Sequence, residues 1–347
     1  MTPHNLPATI ADETALDELL SEPSPTSIQS LAEIPGDVIV LGAGGKMGPT
    51  LARMIRRASE IAGTDRRVIA VSRFSNPKTQ SILEQQGVDT IACDLLDPDT
   101  ISALPDAANV FSMAAAKFGT SNNPDFSWAI NVHLPAMICQ RYTSSRIVAF
   151  SSGNVYPLVP AATGGSVETD EVDPRGEYAI TVLGRERIYE YFSRSGNIPV
   201  ALLRLNYAVE MRYGVLLDLA LQIYHGHTID LTMGFVNVIW QADANAMAIA
   251  ALTDTASPPR VINIAGPEIL RIRDICEHLA NEFGREVCFT GTEAETAWLN
   301  NGSGSHTAYG LPRISADQIL HWIADWVKRK QPILSKPTHF QVRDGKF

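Results

Sequence analysis

The chain has 347 residues, and 38 acidic against 28 basic side chains give a formal net charge of −10. That balance argues against nucleic acid as the main partner, because phosphate binding needs clustered cations. Four scattered cysteines (Cys93, Cys139, Cys276, Cys288) argue against a disulfide framework, and no metal site is expected. Apolar runs stay far short of the ~20 residues of a membrane helix, and acids stand at the amino terminus where a signal peptide would carry bases. A cytoplasmic protein without a membrane partner is expected. The basic residues divide into 21 arginines and only 7 lysines.

In chain order, residues 1–35 read as a polar, proline-punctuated extension packed on or trailing from the main domain, with helical stretches at 12–20 and 28–31 and no chemistry. From Asp37 short β-branched runs alternate with helical ones, which predicts βαβ units and a parallel sheet. The predicted strands are 38–41, 67–71, 90–93, 109–113, 146–151, 200–205 and 261–264. Helices are predicted at 49–62, 79–86, 127–144 and 178–195, each long enough for a right-handed crossover. The expected class is therefore α/β, a doubly wound parallel sheet of Rossmann type, over 36–205. Residues 206–347 are expected to form mainly a smaller substrate-binding portion, with 235–265 returning to the first unit. Helical patterns in it fall at 215–225, 243–252, 271–283 and 315–329.

The first strand runs into Gly42-Ala43-Gly44-Gly45-Lys46-Met47-Gly48, and Pro49 opens a helix at a position where a missing N–H costs nothing. Glycines at 42, 45 and 48 allow a tight turn, close approach of backbone to a pyrophosphate, and close helix–strand packing. The loop residues Gly42, Gly45, Lys46, Met47 and Gly48 are thus candidates for dinucleotide binding. At the end of the second strand stand Ser72 and Arg73, where an acidic residue would favour NAD. A hydroxyl followed by arginine better suits a 2′-phosphate, so NADP is the preferred cofactor and NAD the alternative. Asp94, followed by Leu95, stands at the third strand end, either to accept from the adenine amino group or to cap a helix.

With this loop, Asp94, Met113-Ala114-Ala115, Ile130-Asn131-Val132, the run Ser151-Ser152-Gly153-Asn154-Val155-Tyr156, Tyr178 and Leu203-Arg204-Leu205-Asn206 in order, the chain resembles the extended short-chain dehydrogenase/reductase family. This is the NAD-dependent epimerase/dehydratase group, and the likeness spans about residues 37–330. The resemblance implies hydride transfer between a nicotinamide and a hydroxyl or carbonyl carbon of a small polar, sugar-like substrate. It implies Ser152 on the substrate oxygen, Tyr178 as acid/base, Ala114 and Ala115 beside the cofactor, and a homodimer through the helices at 127–144 and 178–195. A catalytically reduced dinucleotide sensor of the same fold is the alternative.

The family places a lysine one turn after the tyrosine, and here position 182 is valine. A phenol with an ordinary pKa near 10 needs a neighbouring cation to act as a base near neutrality. Lys117 is the only lysine between residues 79 and 327; it is either a surface residue or a stand-in cation and substrate anchor. Arg185 lies about 10 Å along the helix from Tyr178 and is expected to face solvent or a partner. One of Arg204 and Arg212, near Asn206 and Tyr213, would contact an anionic substrate or else pair with Glu210 or Asp218. His225-Gly226-His227 reads as a turn, Tyr189, Tyr191, Phe192, Trp322 and Trp326 as core. Residues 292–304 read as a mobile loop, with Trp298 packing beside it.

Overall fold

The computed structural model describes residues 6–117 and 122–345. Seven strands form one parallel sheet: β1 Val38–Leu41, β2 Val68–Ser72, β3 Asp89–Ala92, β4 Asn109–Ser112, β5 Arg146–Ser152, β6 Val200–Leu205 and β7 Arg260–Ile264. Their order is β3-β2-β1-β4-β5-β6-β7, with every neighbour parallel. All seven predicted strands are present. The order reverses between β1 and β4, so the crevice at their carboxyl ends is where a doubly wound sheet binds ligands.

β1 reads Val-Ile-Val-Leu because it is buried on both faces. Val38 and Val40 pack against the helices Gly48–Ile61 and Gln241–Ala250 side, while Ile39 and Leu41 join Ile138, Tyr189 and Leu202 on the other. The first helix after β1 carries no side-chain cap at its amino end. Its Thr50 hydroxyl accepts from Gln241 Nε2 at 3.1 Å and Asn245 Nδ2 at 3.2 Å, which ties the C-terminal half of the chain to the loop helix.

Two local expectations are corrected, and one left open between two alternatives is decided. The helix predicted at 127–144 is Pro124–Trp128, a π-helical turn Ala129–His133 and Leu134–Arg141. The segment 292–304 is built into the protein: Thr296–Ala297 pairs antiparallel with Val159–Pro160, Trp298 and Asn300 are buried, and Ser303–Tyr309 is helical. The residues before 36, whose first five lie outside the described ones, are no loose appendage. Asp12 and Ser24 cap the helices Glu13–Leu20 and Pro25–Glu33, and Leu16, Leu20 and Leu31 are fully buried. Asp17 reaches Arg212 at 2.9 Å.

The last segment also packs inward. Leu334 N–H donates to Arg212 O, Thr338 donates from both N and Oγ1 to Asp218, and Arg343 donates to Thr296. This brings Lys336 and Thr338 to the edge of the crevice.

Candidate active site

Two joined hollows occupy the crevice. One runs along Gly42, Gly44, Gly45, Ser72, Arg73, Asp94, Leu95, Ala114 and Ala115, which brings together most of the residues predicted to hold a dinucleotide. The other continues past Lys46, Met47 and Gly48 to Ser152, Tyr178, Tyr207 and Tyr213. Gly42, Gly45, Met113, Ala115 and Lys117 border both.

The loop fits a dinucleotide. Gly42 has φ +90°, and a Cβ there would lie 2.5 Å from the Ala114 nitrogen; one at Gly48 would lie 2.5 Å from Ala43 O. These two glycines are required by the backbone itself. Gly45 differs, since a Cβ on it would meet only Gly42 O, at 3.4 Å. Its missing side chain leaves room in front of the uncapped amides of the following helix, the partner a phosphate group needs. Ser72 Oγ packs against Gly44 and accepts from Phe74 N, while Arg73 is exposed at the rim. Asp94 Oδ1 accepts from Leu96 N at 3.0 Å, so one oxygen of that carboxylate holds the turn after β3.

Ser152 ends β5. Its hydroxyl donates to Asn154 Oδ1 at 3.0 Å and accepts from Asn154 N at 3.2 Å. Tyr178 stands in the first turn of the helix Gly176–Gly196 and is hydrogen-bonded to Ser152. Burial raises the Tyr178 pKa, and the Ser152 bond and the Arg185 charge only partly oppose this. Tyr178 is thus protonated at neutrality. Val182, the residue in place of the lysine, is fully buried with Val155, Tyr156 and Tyr178.

The cations near this pair come from elsewhere. Arg185, expected to face solvent, is only 4% exposed. Its guanidinium donates to Phe150 O at 2.7 Å, Asn131 Oδ1 at 2.5 Å and Ala114 O at 3.3 Å. The i+7 spacing was right for the Cα atoms, but helical side chains lean toward the amino terminus, and a long arginine recovers much of that distance. Asn131, on the π-helical turn, also accepts from Ala116 N and donates to Ala116 O and Thr181 Oγ1. It therefore fixes the segment that carries Lys117. The Lys117 ammonium lies 5.8 Å from the Tyr178 ring centre and 5.9 Å from that of Tyr207. Desolvation is the main cause that lowers its pKa to about 8.

Lys46 was singled out for its backbone, but its side chain lies over the ring of Tyr213. Burial first, then the charges of Lys117 and Lys336, push its pKa down to about 7, against Asp218 and Glu210. Neither arginine considered as an anion contact is available. Arg204 pairs with Glu186 at 2.8 Å and donates to Tyr156 Oη at 2.7 Å, and Arg212 is shared by Glu210 and Asp17. The Arg212–Glu210 pair is one of the alternatives the sequence left open.

The model of the family described as "NAD dependent epimerase/dehydratase family" matches residues 38–265. The chain belongs to that family. Among solved structures similar to this epimerase/dehydratase-family chain is DesIV, a dTDP-glucose 4,6-dehydratase from Streptomyces venezuelae with NAD and TYD bound. It is 15% identical, with a TM-score of 0.72 over 84% of this chain and 97% of that one. Another is the UDP-glucuronic acid 4-epimerase from Bacillus cereus in complex with UDP-glucuronic acid and NAD, 21% identical, TM-score 0.70, over 85% and 99%. A third is Pal from Bacillus thuringiensis, 15% identical, TM-score 0.70, over 85% and 100%. No curated protein matches the chain by sequence. At such identities the likeness concerns the fold.

The family's fold leaves several site residues unpredicted. Tyr207, Asn154, Gln241 and the Lys336–Thr338 segment all border the crevice.

Proposed function

We propose that this chain is an NAD(P)-dependent oxidoreductase or epimerase acting at a hydroxyl or carbonyl carbon of a small, polar, sugar-like substrate. The observation that supports it best is the Ser152–Tyr178 hydroxyl pair at the end of a glycine-lined groove that fits a dinucleotide. Gly42, Gly45, Met47 and Gly48 would hold the pyrophosphate, with Ala114 and Ala115 along the groove and Asp94 and Leu95 at its adenine end. Ser72 and Arg73 favour NADP over NAD. When bound, a nicotinamide supplies the hydride donor or acceptor.

Ser152 orients the substrate oxygen by a hydrogen bond, and Tyr178 gives or takes the proton at that oxygen. Because burial keeps Tyr178 protonated, the site is better poised to donate a proton to a carbonyl than to take one from an alcohol at neutral pH. Arg185, held by backbone carbonyls, and Lys117, near the Tyr178 ring, supply the positive potential that Val182 does not. Lys117 is the candidate for the missing lysine's role.

Trp128, Ile180 and Tyr191, the last expected in the core but exposed, lie in the segments 127–144 and 178–195 of the expected dimer contact, which supports a homodimer. Light scattering of the purified protein tests it, and a monomer at all concentrations overturns it. Among the described residues no helix is long and apolar enough to cross a membrane.

The test of function is incubation with NADPH and a panel of keto-sugars and keto-acids. Oxidation of the coenzyme, or inversion of a substrate centre with the coenzyme recovered, is expected. Val182 favours a second reading, a dinucleotide sensor; tight coenzyme binding with no conversion of any compound would support it instead.

A further inference from the structure

Three of the chain's seven lysines meet at the crevice, from three distant parts of the sequence. Lys46 comes from the phosphate loop, Lys117 from the end of β4 and Lys336 from the C-terminal segment. In a protein of net charge −10 this concentration is against the general trend. The carboxylates facing Lys46 are Asp218 and Glu210. Asp218 already accepts two hydrogen bonds from Thr338, at 2.7 and 2.6 Å, and Glu210 is held by Arg212. Glu210 is thus balanced by Arg212, while Asp218, held by a neutral partner, keeps its charge, so three ammonium groups face one such carboxylate at a partly buried place.

Position separates Lys46 from the coenzyme groove, whereas Lys117 borders both hollows and Lys336 only the coenzyme one. Lys46 borders the hollow of Tyr178, Tyr207 and Tyr213, not the one of Ser72, Arg73 and Asp94. That hollow measures about 360 Å³, near the lower end of small-molecule sites. Partly buried ammonium groups lose hydration, and a ligand anion between them restores the interaction that burial removes.

We propose that the crevice beyond Tyr178 takes a small anionic substrate, a hydroxy or keto compound whose carboxylate or phosphate is held between Lys46 and Lys117, with Lys336 adding charge from the coenzyme side. This rests on the oxidoreductase or epimerase reading and names its substrate class. The apolar walls, including Met47, Leu205 and Val215, confine the body of the ligand, and the two lysines orient it so that its reacting carbon faces the Ser152–Tyr178 pair.

The test is calorimetric titration of the coenzyme-saturated protein with D-glucuronate, D-glucose 6-phosphate and neutral D-glucose. At least one anion is expected to bind tenfold or more tightly than glucose, and the preferred one distinguishes carboxylate from phosphate. Lys46→Met and Lys117→Met should each weaken that anion about tenfold or more; coenzyme affinity should stay within about twofold of wild type in Lys46→Met, and Lys46→Arg should keep most of the anion affinity. Equal binding of anions and glucose, no binding of either anion, or lysine variants that bind the anion unchanged would overturn the proposal. So would a Lys46→Met variant that loses coenzyme as much as anion, since the lysine would then serve the coenzyme pyrophosphate. A wild-type protein that binds neither dinucleotide overturns the underlying reading as well, whereas coenzyme binding without anion preference overturns only the substrate class.

Discussion

The two ends of the crevice are built by different means. The end proposed for the dinucleotide is made of backbone: glycines whose Cβ atoms would collide with Ala114 or Ala43, uncapped helix amides, and strand ends in parallel register. The end proposed for the substrate is made of side chains that converge from residues 46, 117, 152, 178, 207, 213 and 338. Backbone requirements are local and leave a spacing in the sequence. Convergent side chains leave none.

The largest effect should come from breaking the backbone end. Gly42→Val places a branched side chain at φ +90° against the Ala114 backbone, and should abolish NADPH binding or folding altogether. Gly45→Ala separates the two, because its Cβ has only one backbone neighbour, at 3.4 Å. Thermal unfolding should stay within a few degrees of wild type while NADPH affinity, measured by fluorescence titration, drops tenfold or more.

Next in size is Arg185→Met, which sharpens the contrast by removing a charge that supports both ends. It leaves the buried carbonyls of Phe150 and Ala114 and the Asn131 side chain short of a donor, a cost of about 2–4 kcal/mol in denaturant unfolding. Since Arg185 opposes the rise of the Tyr178 pKa, the pH profile of any oxidation rate should also move to higher pH. An unchanged profile would reduce Arg185 to a structural role.

A smaller effect is expected at Arg73. Arg73→Ala should weaken NADPH by about tenfold and leave NADH within about twofold, since only the 2′-phosphate loses a partner. Tighter NADH than NADPH binding in the wild-type protein would refute the NADP preference outright.

The gentlest probe is pH. Lys46 and Lys117 titrate near 7 and 8, lowered chiefly by burial. Lys46 faces Lys117, Lys336, Asp218, Glu210 and the Tyr213 ring, and Lys117 faces Asp218 and the Tyr178 and Tyr207 rings. The protonated forms are complete below these values and lost above them, so anion affinity should be highest in mild acid and fall as pH rises through about 7 to 8. A bound anion stabilises the ammonium form and displaces the fall upward. Affinity independent of pH from 6 to 9 would contradict the lysine pair.

The seven-stranded sheet was legible because strands alternate with helices and the central ones are apolar on both faces, as in Val38–Leu41. The glycine loop, named from its motif, and Ser152 and Tyr178, named from the family's spacing, border one crevice. Arg185 was misread because spacing along a helix says where a Cα lies and not where a long side chain ends. Residues 292–304 looked mobile because Gly, Ser and Asn are turn formers, yet Trp298 and Asn300 are buried and pack the segment inward. The C-terminal segment gave no sign in sequence that Thr338 would bind Asp218, 120 residues earlier.

The account stands on Tyr178 as the proton donor of a hydride-transfer site. The most direct measurement is the rate of NADPH oxidation with a keto-sugar and keto-acid panel, wild type beside Tyr178→Phe, with NADPH affinity measured on both. A wild-type rate with at least one compound, reduced about 100-fold or more by the substitution at unchanged NADPH affinity, is the expected result. Tight NADPH binding by both proteins with no oxidation by either, or equal rates for the two, would contradict it.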